Sequence, residues 1–203
     1  MVTIGIMDYK AGNIRSVLTA VRYLGAEGII SSDPEVLHKC DKLIIPGDGE
    51  AQAVMEVLRT SSLGEFLLQY FRSGRPILGI CIGCQIILER SEERSTPCLG
   101  FIPGEVVRFP QKPGLKVPHM GWNQVHHENS HPIFQGVRED SPCYFVHSFY
   151  PLPQFQENAA AWTEYGGPFV SALKKENLVA VQFLPEKSAS PGLKMIENFI
   201  FRC

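Results

Sequence analysis

Two short stretches contain the residue types that can do chemistry. The first is ILGICIGCQIILE, residues 77–89, where Gly79 and Gly83 stand two places either side of Cys81. A strand-like run precedes Cys81 and a helix-like run follows it. Small residues at those two positions permit a sharp strand-to-helix turn that lifts the central side chain over the sheet edge, the pattern of a nucleophile elbow. A helix start beside a thiol favours its thiolate, and the backbone N–H of Ile82 points where an oxyanion would form. The second stretch is AVQFLPEKS, residues 180–188, a short apolar strand running into Pro185 with the carboxylate of Glu186 just beyond it. Enzymes built on parallel sheets keep chemical groups at such strand ends. Two places before that carboxylate, where a base is expected, stands Leu184.

Other readings of the same cysteines stay open. Cys81 could be an ordinary buried cysteine in a glycine-rich turn. Cys81 and Cys84 together spell C-x-x-C, a redox pair that also suits a strand–helix junction but leaves Gly79 and Gly83 without a purpose. A zinc site is weaker, because no second C-x-x-C or H-x₃-H pair accompanies it. His126 and His127 are adjacent on a strand-like segment and so face opposite sides. No metal or cofactor is expected.

The elements that must position these groups follow from periodicity. Thr3–Met7, 28–30, Lys42–Ile45 and 76–80 read as buried strands. Asn13 caps a helix carrying Ile14, Val17, Leu18, Val21 and Leu24, with Gly25 as its stop. One longer helix carries Val54, Met55, Leu58, Leu63, Phe66, Leu67 and Tyr70. The second half is strand-rich, with segments at 104–109, 115–127, 142–150, 159–165 and 168–184, a hairpin turning at 175–177, and a closing helix over 194–201. This predicts an α/β fold, a mostly parallel central sheet flanked by helices with an added antiparallel β portion, in one domain over residues 1–203.

Composition narrows the function class. The chain is 44% hydrophobic and 20% charged with a net charge of −2, ordinary for a globular core and unsuited to nucleic acid. No segment approaches the roughly 18 apolar residues of a membrane span. Six cysteines in a chain of 203 residues suit reduced thiols in the cytoplasm.

In order along the chain, IPGDGEA (45–51), GICIGCQ (79–85) and FLPEKS (183–188) resemble the class I glutamine amidotransferases. VPHMGWNQV (117–125) and YFVHSFYP (144–151) are similar to the glutaminase subunits of imidazole glycerol phosphate synthases, and the likeness extends from DYKAGNIRSV (8–17) to the C-terminal helix. The resemblance implies hydrolysis of glutamine to glutamate and ammonia, with ammonia passed to a (β/α)₈-barrel cyclase in histidine biosynthesis. It assigns Cys81 as nucleophile and Glu186 as the acid that orients a histidine base, whose position is Leu184. It assigns the amides of Ile82, Asp48 and Gly49 to the oxyanion hole. Gln85, His147, Ser148 and Phe149 match the glutamine-holding region, and Gly12, Asn13, His119, Met120, Trp122 and Lys194 match the surface that meets the cyclase.

The chain departs from that pattern in three places. Leu184 can neither accept a proton nor stabilise a thiolate, which should leave Cys81 near an ordinary thiol pKa of about 8.5. Loss of a general base costs roughly 10²–10⁴ in rate. Asp48 and Glu50 replace uncharged loop residues and should disfavour the thiolate further, and Ala51 replaces an aromatic residue. Among the histidines, His147 is the best substitute base by placement; His38, His126, His127 and His131 read as surface or strand-end residues. Three functions follow: an impaired amidotransferase subunit, a catalytically silent binding subunit, and a thiol redox protein using Cys81 and Cys84.

Overall fold

The computed structural model describes residues 1–10, 13–128 and 130–203. Its first half alternates strand and helix: β1 (Thr3–Met7), α1 (Ile14–Tyr23), β2 (Glu27–Ser31), α2 (Pro34–Leu37), β3 (Lys42–Ile45), α3 (Ala51–Thr60), α4 (Leu63–Arg72), β4 (Ile77–Ile80) and α5 (Ile82–Gln85). The second half is strand-rich: β5 (Arg90–Ser91), β6 (Thr96–Pro97), β7 (Gly104–Arg108), β8 (His119–Val125), β9 (Ser141–His147), β10 (Phe149–Pro153), β11 (Ala159–Glu164), β12 (Pro168–Lys175) and β13 (Leu178–Val181). Helix α6 (Ala189–Arg202) closes the chain.

Seven strands form the main sheet in the order β11-β12-β13-β4-β3-β1-β2. The five from β13 to β2 pair in parallel, while β11 and β12 extend the edge antiparallel. Side chains alternate between two apolar cores. Ile4, Ile6, Ile44, Leu78, Ile80, Val179 and Val181 face one core with α1 and α6. Met7, Leu43, Ile45, Ile77, Leu178 and Ala180 face the other, with α3 and α4. Because both faces are covered, these strands read as continuous apolar runs rather than alternating ones.

Three departures from the sequence reading have local causes. The expected long helix is two helices, broken where Ser61 turns extended (φ −117°, ψ 168°). There the hydroxyl of Ser61 donates to the Val57 carbonyl at 2.7 Å beside the Ser61 amide, and it accepts from the Leu63 amide at 3.3 Å in place of a helical backbone acceptor. The segment 142–150 is two strands: β9 pairs with β8 in a separate two-stranded sheet, and β10 pairs with β7 in a four-stranded one. Helix α5 is a single turn of four residues.

Candidate functional site at the elbow after strand β4

The parallel pairing of β4 with β13 brings the two stretches together. Val181 sits opposite Ile80, and the amide of Cys81 donates to the Val181 carbonyl at 2.8 Å. Cys81 itself adopts φ 54°, ψ −104°, a conformation that a non-glycine residue holds only when its surroundings impose it. The flanking glycines are required by close approach. A Cβ on Gly83 would lie 2.1 Å from the Ile45 carbonyl oxygen, and one on Gly79 would lie 2.7 Å from the Gly83 carbonyl oxygen.

Cys81 opens into a cavity of about 450 Å³. Asp48, Gly49, Cys81, Ile82, Gln85, His147, Ser148 and Phe149, eight of the residues singled out in the sequence, line it, joined by Glu93, Pro118, Tyr144, Val146 and Lys187. Lys187 is exposed. Both amide hydrogens of Gln85 are committed, to the Phe149 carbonyl at 3.1 Å and to Gln182 Oε1 at 3.0 Å.

Leu184 is 4% exposed and belongs to the same apolar cluster as Cys81. Its backbone is tightly held. The Leu184 amide donates to the Tyr144 carbonyl at 2.9 Å, and its carbonyl accepts from the Ser188 hydroxyl at 2.6 Å and the Lys187 amide at 3.0 Å. The backbone at 184 is thus fixed, and its side chain is apolar, with no group that could exchange a proton. Two residues on, Glu186 Oε1 accepts from Asn13 Nδ2 at 3.5 Å, while Oε2 is buried without a hydrogen-bond partner among the described residues. Burial pushes the Glu186 carboxyl up to about 7; Asp48 adds to the rise, while the backbone amide of Glu186 and Lys187 oppose it.

The thiol is held in its protonated form by its surroundings. Burial, then the negative charge of Glu186, pushes Cys81 up to about 12; Asp48 adds to this, and hydrogen bonds from the Ile82 amide and Gln182 only partly offset it. This corrects the expectation of an ordinary thiol. Glu50 does not act on the sulfur as expected: its carboxylate forms an ion pair with Arg94. Nearby, Glu93 Oε2 accepts from the Ala51 amide at 2.7 Å at the start of α3. The redox pairing loses support as well. Cys84 is fully buried, with its thiol raised well above its ordinary value by burial and by Cys81, the reverse of what a reactive C-x-x-C needs.

His147 lines the cavity, but its ring nitrogens face elsewhere. Nδ1 donates to the Phe149 carbonyl at 2.7 Å and Nε2 meets His119 Nδ1 at 2.9 Å. Burial takes His147 down to about 3, so it is a poor base at neutral pH. His119, expected on a partner surface, lies inside, stacked on Phe145 and Tyr165 and 3% exposed. Its strand neighbours Met120 and Trp122 are 62% and 56% exposed, an apolar pair facing outward. Lys194 pairs with Glu197 at 2.7 Å. Gly12 lies outside the described residues.

Sequence reasoning missed two groups. Gln182 is fully buried and donates through Nε2 to Cys81 Sγ at 3.7 Å. The signal was a lone amide in an apolar strand end, since a buried polar side chain needs partners. Tyr9, also buried, donates its hydroxyl to the Pro46 carbonyl and so holds the glycine loop.

The class I glutamine amidotransferase family model matches residues 6–203. Among curated proteins, imidazole glycerol phosphate synthase subunit HisH of Synechococcus sp. (strain JA-3-3Ab) is 41% identical over 201 residues, covering 98% of this chain and 93% of that protein. Subunit HisH 1 of Campylobacter jejuni (strain RM1221) is 45% identical over 200 residues, covering 97% and 98%. The solved structure of PurLQS from Thermotoga maritima superposes with a TM-score of 0.76 at 16% identity, covering 98% of this chain and 97% of that one. A solved glutamine amidotransferase superposes with a TM-score of 0.74 at 19% identity, covering 97% and 98%.

Proposed function

Since the chain belongs to the class I glutamine amidotransferase family, we propose that it is the glutaminase-type subunit of an imidazole glycerol phosphate synthase, with its glutamine cavity retained and its hydrolysis impaired. In this reading residues 1–203 form one glutaminase domain that works in the cytoplasm. Its partner is a (β/α)₈-barrel cyclase that receives ammonia. The observation that carries the impairment is a buried Leu184 together with a Glu186 oxygen that has no hydrogen-bond partner among the described residues.

Glutamine hydrolysis at such a site needs Cys81 Sγ to attack the carboxamide carbon, with the Ile82 amide and the loop amides of Asp48 and Gly49 as oxyanion donors. Ammonia must leave carrying an extra proton, and water must then cleave the thioester. A histidine at position 184 would take the thiol proton and return it to the leaving nitrogen. Leucine does neither, so both transfers fall to water, and the thiolate fraction at neutral pH is very small with Cys81 near 12.

The same observation favours a second reading in its limit: a silent docking subunit whose cyclase uses free ammonia. The exposed pair Met120 and Trp122 supports docking in either case, because a solvent-facing tryptophan beside methionine suits an interface anchor. Binding of the purified chain to a barrel cyclase, measured by calorimetry with and without glutamine, tests the assignment. Stable association with glutamine uptake supports it. Failure to associate with any such cyclase refutes it.

A further inference from the structure

One polar chain crosses the molecule from β8 to the sulfur, and each of its links has a single permitted direction. Asn123 Nδ2 donates to His119 Nε2 at 3.2 Å. His119 Nδ1 and His147 Nε2 are 2.9 Å apart, and His147 Nδ1 is 2.7 Å from the Phe149 carbonyl. A carbonyl only accepts, so His147 carries its proton on Nδ1 and accepts at Nε2. His119 must then donate from Nδ1 and accept at Nε2, which the Asn123 amide satisfies. The Phe149 carbonyl also receives Gln85 Nε2 at 3.1 Å, which fixes the Gln85 amide with its NH₂ toward Gln182 Oε1, 3.0 Å away. With that oxygen accepting, Gln182 can present only its NH₂ to Cys81 Sγ, at 3.7 Å.

We propose that Gln182 holds the Cys81 sulfur in its reactive orientation, and that Gln85, whose own NH₂ is fixed by the Phe149 carbonyl, is the positioning residue that sets the direction of the Gln182 amide. A side-chain amide can present either its oxygen or its NH₂ to a neighbour, and an oxygen against the sulfur would oppose a thiolate. The Gln85 contact removes that freedom. The same carbonyl receives His147 Nδ1 at 2.7 Å, which orients the buried histidine pair from the same point.

The proposal rests on Cys81 being the reactive thiol of the amidotransferase reading, and its test needs no glutamine turnover. Iodoacetamide alkylates thiolate, so the rate at Cys81, followed by peptide mass spectrometry between pH 8 and 10, reports the hold on the sulfur. Partly exposed Cys98 serves as an internal reference, and buried Cys84 and Cys143 report unfolding. Gln182→Met should slow Cys81 about three- to tenfold at fixed pH, the worth of one hydrogen bond, with Cys98 unchanged. Gln85→Met should slow it about twofold or more in the parent and have no further effect in the Gln182→Met background, because it acts through that amide. If Gln182→Met exposes Cys84, the isosteric Gln182→Glu takes its place. That variant keeps the acceptor for Gln85, puts an oxygen against the sulfur, and should slow Cys81 at least as much. An unchanged Cys81 rate in a folded Gln182 variant overturns the proposal. So does an equal effect of Gln85→Met in both backgrounds. Slow alkylation with the expected dependence, but no binding to any cyclase, would leave the relay standing and sink the functional assignment instead.

Discussion

Replacing Glu186 with glutamine should make the protein more stable at pH 8 and leave it unchanged at pH 4. In the folded chain the carboxyl titrates near 7, against 4.5 for the free group, with burial as the main cause. Below about 4.5 the acid is protonated in both folded and unfolded states, and Glu186 costs nothing. As pH rises the unfolded chain releases its proton first, and the penalty grows until the folded group ionises near 7. Above that it is complete. The interval between 4.5 and about 7, at about 1.4 kcal/mol per pH unit, gives about 3 kcal/mol, reduced to about 2 kcal/mol for the part of the side chain that meets solvent. Urea denaturation of parent and Glu186→Gln at both pH values measures this, and the difference between the two gains isolates the charge from any change in packing. An equal effect at pH 4 and pH 8 would refute the reasoning, because it would mean that the carboxylate already has a partner that compensates its burial.

Three further perturbations test other links. Gly83→Ala should destabilise by about 3 kcal/mol or more in thermal melts, since its new methyl would meet the Ile45 carbonyl at 2.1 Å; a cost below 1 kcal/mol would mean that the elbow relaxes easily. Trp122→Ala should weaken association with a barrel cyclase by about 2 kcal/mol while leaving the melting temperature within a degree or two, because the ring is already 56% exposed; unchanged affinity would remove Trp122 from the interface. Leu184→Gly should open a cavity in the apolar cluster that also holds Cys81, and added imidazole should then accelerate alkylation of Cys81 at pH 7.5, with no effect of imidazole on the parent.

Much of the architecture was legible because the sheet is covered on both sides. Strands such as Lys42–Ile45 are apolar at every position after the first and bounded by turn residues, so their limits show in the sequence. The elbow was legible for a steric reason: Gly83 permits the approach to the Ile45 carbonyl, and Gly79 the approach to the Gly83 carbonyl. What stayed hidden depends on contacts between distant segments. The break at Ser61 comes from hydroxyls competing for backbone groups, which residue types alone do not settle. Glu50 meets Arg94 only because the turn at 93–95 folds over the glycine loop. His119 was expected on the surface with Met120 and Trp122, but strand alternation turns it inward beside His147, 28 residues away. The isolation of Glu186 could not be read from FLPEKS either, because it follows from burial as well as from the leucine.

The central claim is that everything at this site except the base is in place. Glutamate release from glutamine, measured with the cyclase partner bound, compares the parent directly with Leu184→His. The backbone at 184 is already held by Tyr144, Lys187 and Ser188, so the new imidazole starts from a fixed backbone. The account predicts negligible release by the parent and a gain of roughly 10²–10⁴ in the variant. Rapid glutamate release by the parent, or a parent and variant that turn over glutamine equally, would contradict it.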